Sequence, residues 1–320
     1  MYNGFTVPVV TTVAGRGCRV LLWLLCVLVS LPVWGAEVLV VGDTSRPYFR
    51  AFSSSLATNL GSSGFEIAVV DTTKYEHSAL ANGTYRCIVT VGNDAARELS
   101  SNPSAVPILH ALVTESFSLD LYPTANGQAV HSFLLIDQPV SRLIWLARIS
   151  MPGRHKLDVI YGPFSKRYRS EVRRQADNAE LVLVEKEISE PDQLDDVMAA
   201  FNGSTDVLLT LPDPTVVNEG TAKTLILGAY MGNLPLVGYS QALVKAGALM
   251  SVHSTPEQLG MQAAELIFAS FWSDVSRKGV LIYPRYYNVS VNYQVANALQ
   301  LDLPSENELK DRLERKEGAR

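Results

Sequence analysis

Cysteine is scarce and badly placed for cross-linking. Of three in 320 residues, Cys18 and Cys26 lie in an apolar N-terminal stretch and Cys87 stands alone. That leaves the body of the chain without an internal disulfide framework, and Cys87, inside Tyr85-Arg-Cys-Ile-Val-Thr-Val91, reads as a buried strand residue rather than a reactive thiol. Charge is also thin: 18% of residues are charged and the net charge is −5. No basic patch with interleaved aromatics occurs, so nucleic acid is not an expected partner. Catalytic signatures are missing as well. There is no Gly-x-Ser-x-Gly, no phosphate loop of the Walker type and no His-Glu-x-x-His. The five histidines, His77, His110, His131, His155 and His253, are scattered without metal-ligand spacing, and His110 sits inside an apolar strand as a core residue would. The chain is expected not to be an enzyme and to need no cofactor or metal.

Long apolar runs are lacking too. The longest, Val20-Leu-Leu-Trp-Leu-Leu-Cys-Val-Leu-Val29, falls short of the roughly 20 residues that span a bilayer. It follows Arg16 and Arg19, and it is broken by Pro32, with the small residues Val33 and Gly35 ahead of Ala36. Basic, apolar and small regions in that order form a secretory signal peptide, expected over 1–35; an uncleaved anchor is the alternative. Leu25 before Cys26 is too large for a lipoprotein site. About 285 residues remain after cleavage, enough for two ordinary domains.

What is abundant is apolar material, 47% of the chain, arranged in short runs between amphipathic stretches. Val38-Leu-Val-Val-Gly42, Phe65-Glu-Ile-Ala-Val-Val70, 87–91 and 106–113 read as strands, the first of them buried on both faces. Helices are predicted over 48–60, closed by Gly61 and Gly64, and from Asp94 to Leu99. A fifth strand at 132–136 is expected to cross to a second lobe. The pattern then restarts: helix 140–149, strand 157–161, basic helix 167–178, strand 181–184, helix 192–201, strand 207–211, a helix after Val216, and strand 234–239. A helix over 256–271, β-rich stretches at 280–283 and 287–291 and a helix at 292–299 follow. The charged segment 305–320 reads as a solvated helix or frayed tail. Alternating strands and helices imply an α/β fold of parallel strands joined by right-handed crossovers.

Three stretches carry a resemblance. Thr90-Val-Gly-Asn-Asp-Ala-Ala-Arg-Glu-Leu99 is a strand, a glycine turn and an alanine-rich helix. Asp137-Gln-Pro139, a helix, and Met151-Pro-Gly-Arg-His-Lys-Leu-Asp-Val-Ile-Tyr-Gly-Pro163 come next. The third runs from Asp206-Val-Leu-Leu-Thr-Leu-Pro-Asp-Pro-Thr-Val-Val-Asn218 through Asn233-Leu-Pro-Leu-Val-Gly-Tyr-Ser-Gln241 to Asn292-Tyr-Gln-Val-Ala-Asn-Ala-Leu-Gln-Leu-Asp-Leu-Pro304. In order and spacing these resemble the substrate-binding proteins of ABC transporters, and among them the subgroup for aromatic or branched amino acids. The resemblance implies a periplasmic binding protein-like fold of type I, two Rossmann-like lobes with parallel sheets joined by a hinge. It divides the chain into a first lobe at 36–137 and 251–283 and a second at 138–250 and 284–304. Hinges fall near 136–139, 250–254 and 283–287.

It further implies a monomeric periplasmic protein that closes on a small-molecule ligand and delivers it to an ABC permease in the inner membrane. An amino acid, whose carboxylate needs N–H donors and whose ammonium needs an anion, is the expected ligand. Candidate contacts lie at the carboxyl ends of strands, where open α/β sheets bind ligands. They are Thr44 and Ser45, Asn93, Thr114, Tyr161 and Phe164, Asp213, and Tyr239 and Ser240. Each has a plainer reading: Asp213 and Asn93 as helix caps, the aromatics as core. Asn93-Asp94 and Asp213-Pro214 depart from the family's Thr-Pro and Asp-Asn. A ligand-sensing component that signals to a membrane receptor or kinase is the alternative function on the same fold.

Overall fold

The computed structural model describes residues 37–75, 85–101, 104, 106–121, 130–201, 207–272 and 280–318. The expected signal peptide, His77 and Asp206 lie outside them. Two six-stranded sheets organise the chain from Ala36 onward.

The first sheet has the order β11-β5-β4-β3-β1-β2 and is parallel throughout. Its strands are β1 (Val38–Gly42), β2 (Ile67–Asp71), β3 (Cys87–Val91), β4 (Ile108–Val113), β5 (His131–Leu135) and β11 (Leu281–Ile282). β1 and β3 are buried at every position, as continuous apolar runs covered on both faces must be. Helices α1 (Pro47–Gly61), α2 (Asn93–Ser100) and α3 (Glu115–Leu121) connect them, and α9 (Pro256–Trp272) lies against α1. β5, expected as a crossing strand, is a full member of this sheet, paired with β4 on one side and β11 on the other.

The second sheet has the order β12-β10-β9-β8-β6-β7. It comprises β6 (Lys156–Tyr161), β7 (Val182–Glu187), β8 (Val207–Leu209), β9 (Leu236–Gly238), β10 (Met250–His253) and β12 (Asn288–Val291). Only β12 is antiparallel, to β10. Helices α4 (Val140–Ser150), α5 (Arg169–Asn178), α6 (Leu194–Ala200), α7 (Ala222–Met231), α8 (Gln241–Ala246) and α10 (Tyr293–Ala298) complete the lobe. Because Met250–His253 pairs inside this sheet, the chain leaves it after His253, and the hinge expected at 250–254 narrows to its last residue. The chain thus crosses between the sheets three times: after β5, after β10 and between β11 and β12.

The charged segment at the C-terminus is helix α11 (Glu306–Gly318). Its outer face carries Arg312–Glu308 and Lys310–Glu314 pairs, but Leu309 and Leu313, one turn apart, are wholly buried in the second-lobe core with Leu143 and Leu146 of α4. Two apolar residues at i and i+4 make one narrow stripe, easily hidden among charges when the segment is read as composition.

A polar cluster lies within the first sheet. His110 Nδ1 meets Thr90 Oγ1 at 2.7 Å and His110 Nε2 meets His131 Nδ1 at 2.9 Å, with the Phe133 ring stacked on His110. Burial, with His131 alongside, pushes His110 down to about 3 from its ordinary 6.5, and burial lowers His131 too. The unfolded chain takes up these protons first. Folding stability is therefore expected to fall as pH drops below about 6.5 and to go on falling toward about 3, by at most about 1.4 kcal/mol per pH unit for His110. Urea midpoints across that range, for the native chain and for His110→Gln, check this. The variant should show the shallower slope, and equal slopes would remove His110 as its source.

Candidate functional site

The carboxyl ends of the strands carry the polar groups, and they divide into turns that are locked internally and a smaller set that converges. After β1, the Thr44 backbone N–H and hydroxyl both donate to Asp71 Oδ2, at 3.0 and 2.7 Å. Thr73 donates twice to the other oxygen, and these hydroxyl and amide donors hold the Asp71 carboxyl far below its ordinary range. Ser45 likewise donates from backbone and side chain to Asp43. Gly92, with φ 89°, turns β3 directly into α2 and leaves Asn93 exposed on the first turn.

Asp213 is the structural centre of the second lobe's edge. It is 2% exposed. Its Oδ2 accepts from Phe164 N–H at 3.0 Å, Ser165 N–H at 2.7 Å and the Ser165 hydroxyl at 2.9 Å, while Oδ1 accepts from Thr215 N–H at 2.9 Å. Four bonds match a carboxylate's acceptor capacity. The side chain thus staples the β8 turn onto the short 3₁₀ turn Ser165–Tyr168 that precedes α5. Gly162 makes room for it: a Cβ there would lie 2.4 Å from Asp213 Oδ1. Ser240 caps α8 by accepting from Leu243 N–H at 3.3 Å. Tyr161 is wholly buried in the core, with the Arg169 guanidinium over its ring and its phenol raised by burial and by the Glu185 carboxylate, so it stands apart from the other aromatics.

The convergent set starts at β4. Leu112 adopts φ 57°, and the pairing with β5 shifts register between Ala111 and Val113. Such a bulge re-aims the residues beyond it. Thr114 then caps α3 by accepting from Phe117 N–H at 3.3 Å. Glu115, 8% exposed, donates its backbone N–H to Asp137 Oδ2 at 2.6 Å, and its side chain accepts from the Tyr283 hydroxyl at 2.5 Å. Asp137 is 7% exposed. Burial raises it to about 6, the Glu115 N–H opposes that rise and the Glu115 carboxylate adds to it.

The second lobe supplies the other wall. Burial raises the Tyr168 phenol, and so does the Glu115 carboxylate. Tyr239 is pushed up to about 12 by burial and by Asp137 and Asp213. Tyr283 is raised by burial and by its bond to Glu115. Phe164 meets Tyr168 edge-on at 5.9 Å. A carboxylate of the first lobe and one of the first crossing therefore face tyrosines from the second lobe and from the third crossing. Among the described residues, neither Glu115 nor Asp137 forms an ion pair.

Of the residues singled out from sequence, Phe164, Thr114 and Tyr239 border this cluster, Asp213 supports it, Ser45 and Ser240 have hydroxyls engaged in local turns, and the Thr44 hydroxyl is engaged by Asp71 at the end of β2. Glu115, Asp137, Tyr168 and Tyr283 were not singled out. A signal existed for Asp137 and Tyr283, since both fall in segments marked as hinges. Glu115 directly follows Thr114, the candidate at the end of β4, and nothing in the sequence sets it apart from a solvent-facing glutamate.

A family model described as ABC transporter substrate binding protein matches residues 72–270. No curated protein matches the chain by sequence. Among solved structures, it is similar to the ligand-free, open form of CD0873 from Clostridium difficile, a substrate-binding protein with adhesive properties, at TM-score 0.67 and 17% identity over 84% of this chain and 96% of that one. A conserved domain protein from Vibrio cholerae gives TM-score 0.53 and 19% identity over 85% and 96%. The ABC domain from Streptococcus pneumonia in complex with L-Trp gives 0.52 and 16% over 84% and 96%. The family match spans more than half of the sequence, and the chain belongs to the ABC transporter substrate-binding protein family, with the fold of periplasmic binding proteins.

Asp213→Asn keeps the shape but replaces one acceptor oxygen with an amide. Either the Thr215 or the Phe164–Ser165 donors then lose their partner, which costs about 1–3 kcal/mol. Urea unfolding is expected to show a loss of that size; an unchanged midpoint would mean that these donors find other partners.

Proposed function

We propose that this member of the ABC transporter substrate-binding family is a periplasmic protein that captures a small organic ligand bearing an ammonium group between its lobes and hands it to an ABC permease. An amino acid is the leading class. The observation that carries the reading is the pair Glu115 and Asp137, both buried, without an ion-pair partner among the described residues, and faced by Tyr168, Tyr239 and Tyr283. Two adjacent carboxylates disfavour each other's charge and are costly to desolvate. An ammonium group placed between them would relieve both costs, with its N–H groups donating to the carboxylates. The tyrosine faces and Phe164 suit the cation and the apolar part of a ligand.

In this reading Glu115 and Asp137 take the anionic role first considered for Asp213. Asp213 acts by fixing the turn that presents Phe164 and Tyr168. Asn93 and the exposed N–H groups of the first turn of α2 are proposed to meet the ligand's anionic end, and Thr44, Ser45 and Ser240 to line the approach. The solved relative with L-Trp supports an amino acid in such a cleft. Secretion rests on the basic, apolar and small regions of residues 1–35.

The test is native mass spectrometry of the protein from cells, with identification of any molecule released on denaturation. A stoichiometric primary amine, retained by the native chain and lost from Glu115→Gln, is the expected result; a stoichiometric anion or neutral sugar would overturn the assignment. Affinity for the amine should also fall as pH drops through about 6, because Asp137 must give up its proton to pair with a cation. Titration calorimetry at pH 5 and pH 7.5 checks the sign, and equal affinities would exclude Asp137 as a contact.

A further inference from the structure

The three crossing segments are tied together at one buried guanidinium. Arg142, in the first turn of α4, is 7% exposed. Its Nη1 donates to Gln138 Oε1 at 2.6 Å in the first crossing and to the Pro284 carbonyl at 2.9 Å in the third. Gln138 Nε2 donates in turn to Ser254 Oγ at 2.9 Å in the second crossing, and that hydroxyl donates to the Tyr286 carbonyl at 2.6 Å in the third. Every crossing therefore shares one hydrogen-bonded circuit.

The remaining donors of Arg142 go to the last turn of the chain. Nε and Nη2 donate to the two oxygens of Glu317, at 2.7 and 3.2 Å. Tyr287, the last residue of the third crossing, donates its hydroxyl to Glu317 at 3.0 Å and lays its ring 4.0 Å from the guanidinium carbon. One helical turn along α4, Lys316 sits 3.9 Å over the Trp145 ring. A forked pair of this kind fixes the guanidinium plane as well as its position. That plane decides whether Nη1 reaches Gln138 and Pro284 together.

We propose that helix α11 is a clamp on the hinge: Glu317 orients Arg142, Arg142 holds the three crossings in one arrangement, and the pair thereby sets the angle between the lobes. The two side chains are positioning residues for closure and do not themselves meet the ligand. The proposal extends the solute-capture reading, since a binder whose competent state is only partly populated loses apparent affinity by that fraction. The interlobe angle, however, can be read without any ligand.

The experiment is a spin-label distance measurement on the full chain, with labels at Ser62→Cys in the first lobe and Asp177→Cys in the second and with Cys18 and Cys26 replaced by serine. The native chain is expected to give one narrow distribution. Glu317→Gln and Arg142→Lys should each broaden it toward longer separations, and the double variant should go no further than the single ones, because both act through one contact. Arg312→Gln, which breaks an exposed pair on the same helix, should leave the distribution unchanged. Arg142→Lys keeps the charge, so a folded variant is available even if the neutral one is poorly stable. Superimposable distributions in both variants, with only a lower melting temperature, would overturn the clamp and leave α11 a packing element. Neither result depends on which ligand the cleft takes.

Discussion

The constraint on which the two-lobed arrangement depends is the cost of burying Arg142. A guanidinium out of water needs a counter-charge and hydrogen-bond acceptors, and a pair broken at one end costs about 3–5 kcal/mol. Here the counter-charge comes from the far end of the sequence, in Glu317, and the neutral partners come from the crossings. The sheets could each form without this contact. In the proposed clamp, what the contact adds is a defined place for them to meet, because polar groups of all three crossings are bonded in its circuit. A single charged residue in α4 therefore does for the hinge what the apolar strands do for each lobe.

Much of each lobe was legible because continuous apolar runs report burial on both faces. β1, β3 and β4 follow from that rule, as do α1, α4 and α9 from their apolar spacing. The misses have specific causes. Met250–His253 sits between the turn at Gly247 and Pro256, and its Ser and His broke the apolar signal, although β10 is an interior strand of its sheet. α3 begins at Glu115, and its Phe117, Leu119 and Leu121 recur at a strand's period of two rather than a helix's. α11 hid its two core leucines among charges. The docking of that helix also depended on Arg142, 175 residues earlier in sequence than Glu317, and no local pattern can signal such a pair.

The site was less legible than the fold, for a related reason. Strand ends identify where a ligand can bind, but not which polar groups there are already satisfied. Asp213 has the right residue type and the right address, and its acceptors are taken up by Phe164, Ser165 and Thr215. Thr44, Ser45 and Ser240 are similar cases. Glu115 and Asp137 differ only in what faces them, which emerges when β4 and β5 pair side by side and the second lobe brings Tyr168 across.

The proposed site and the proposed clamp are adjacent in the chain as well as in space. Asp137 belongs to the carboxylate pair, and Gln138, the next residue, belongs to the hinge circuit. A cation that neutralises Asp137 removes the like-charge strain between it and Glu115, and the segment that feels this change is the first crossing itself. Tyr283 extends the same logic to the third crossing: its hydroxyl holds Glu115, and Pro284 beside it accepts from Arg142. In the proposed mode the ligand's charge thus acts on two of the three crossings, each through a residue one peptide away from the clamp. A negative cleft, balanced in this mode by the ligand's cation, and an Arg142 hinge, balanced by Glu317, give one short mechanical path from binding to closure. That path runs through Asp137-Gln138 and Tyr283-Pro284, and it requires no signal to travel through either core.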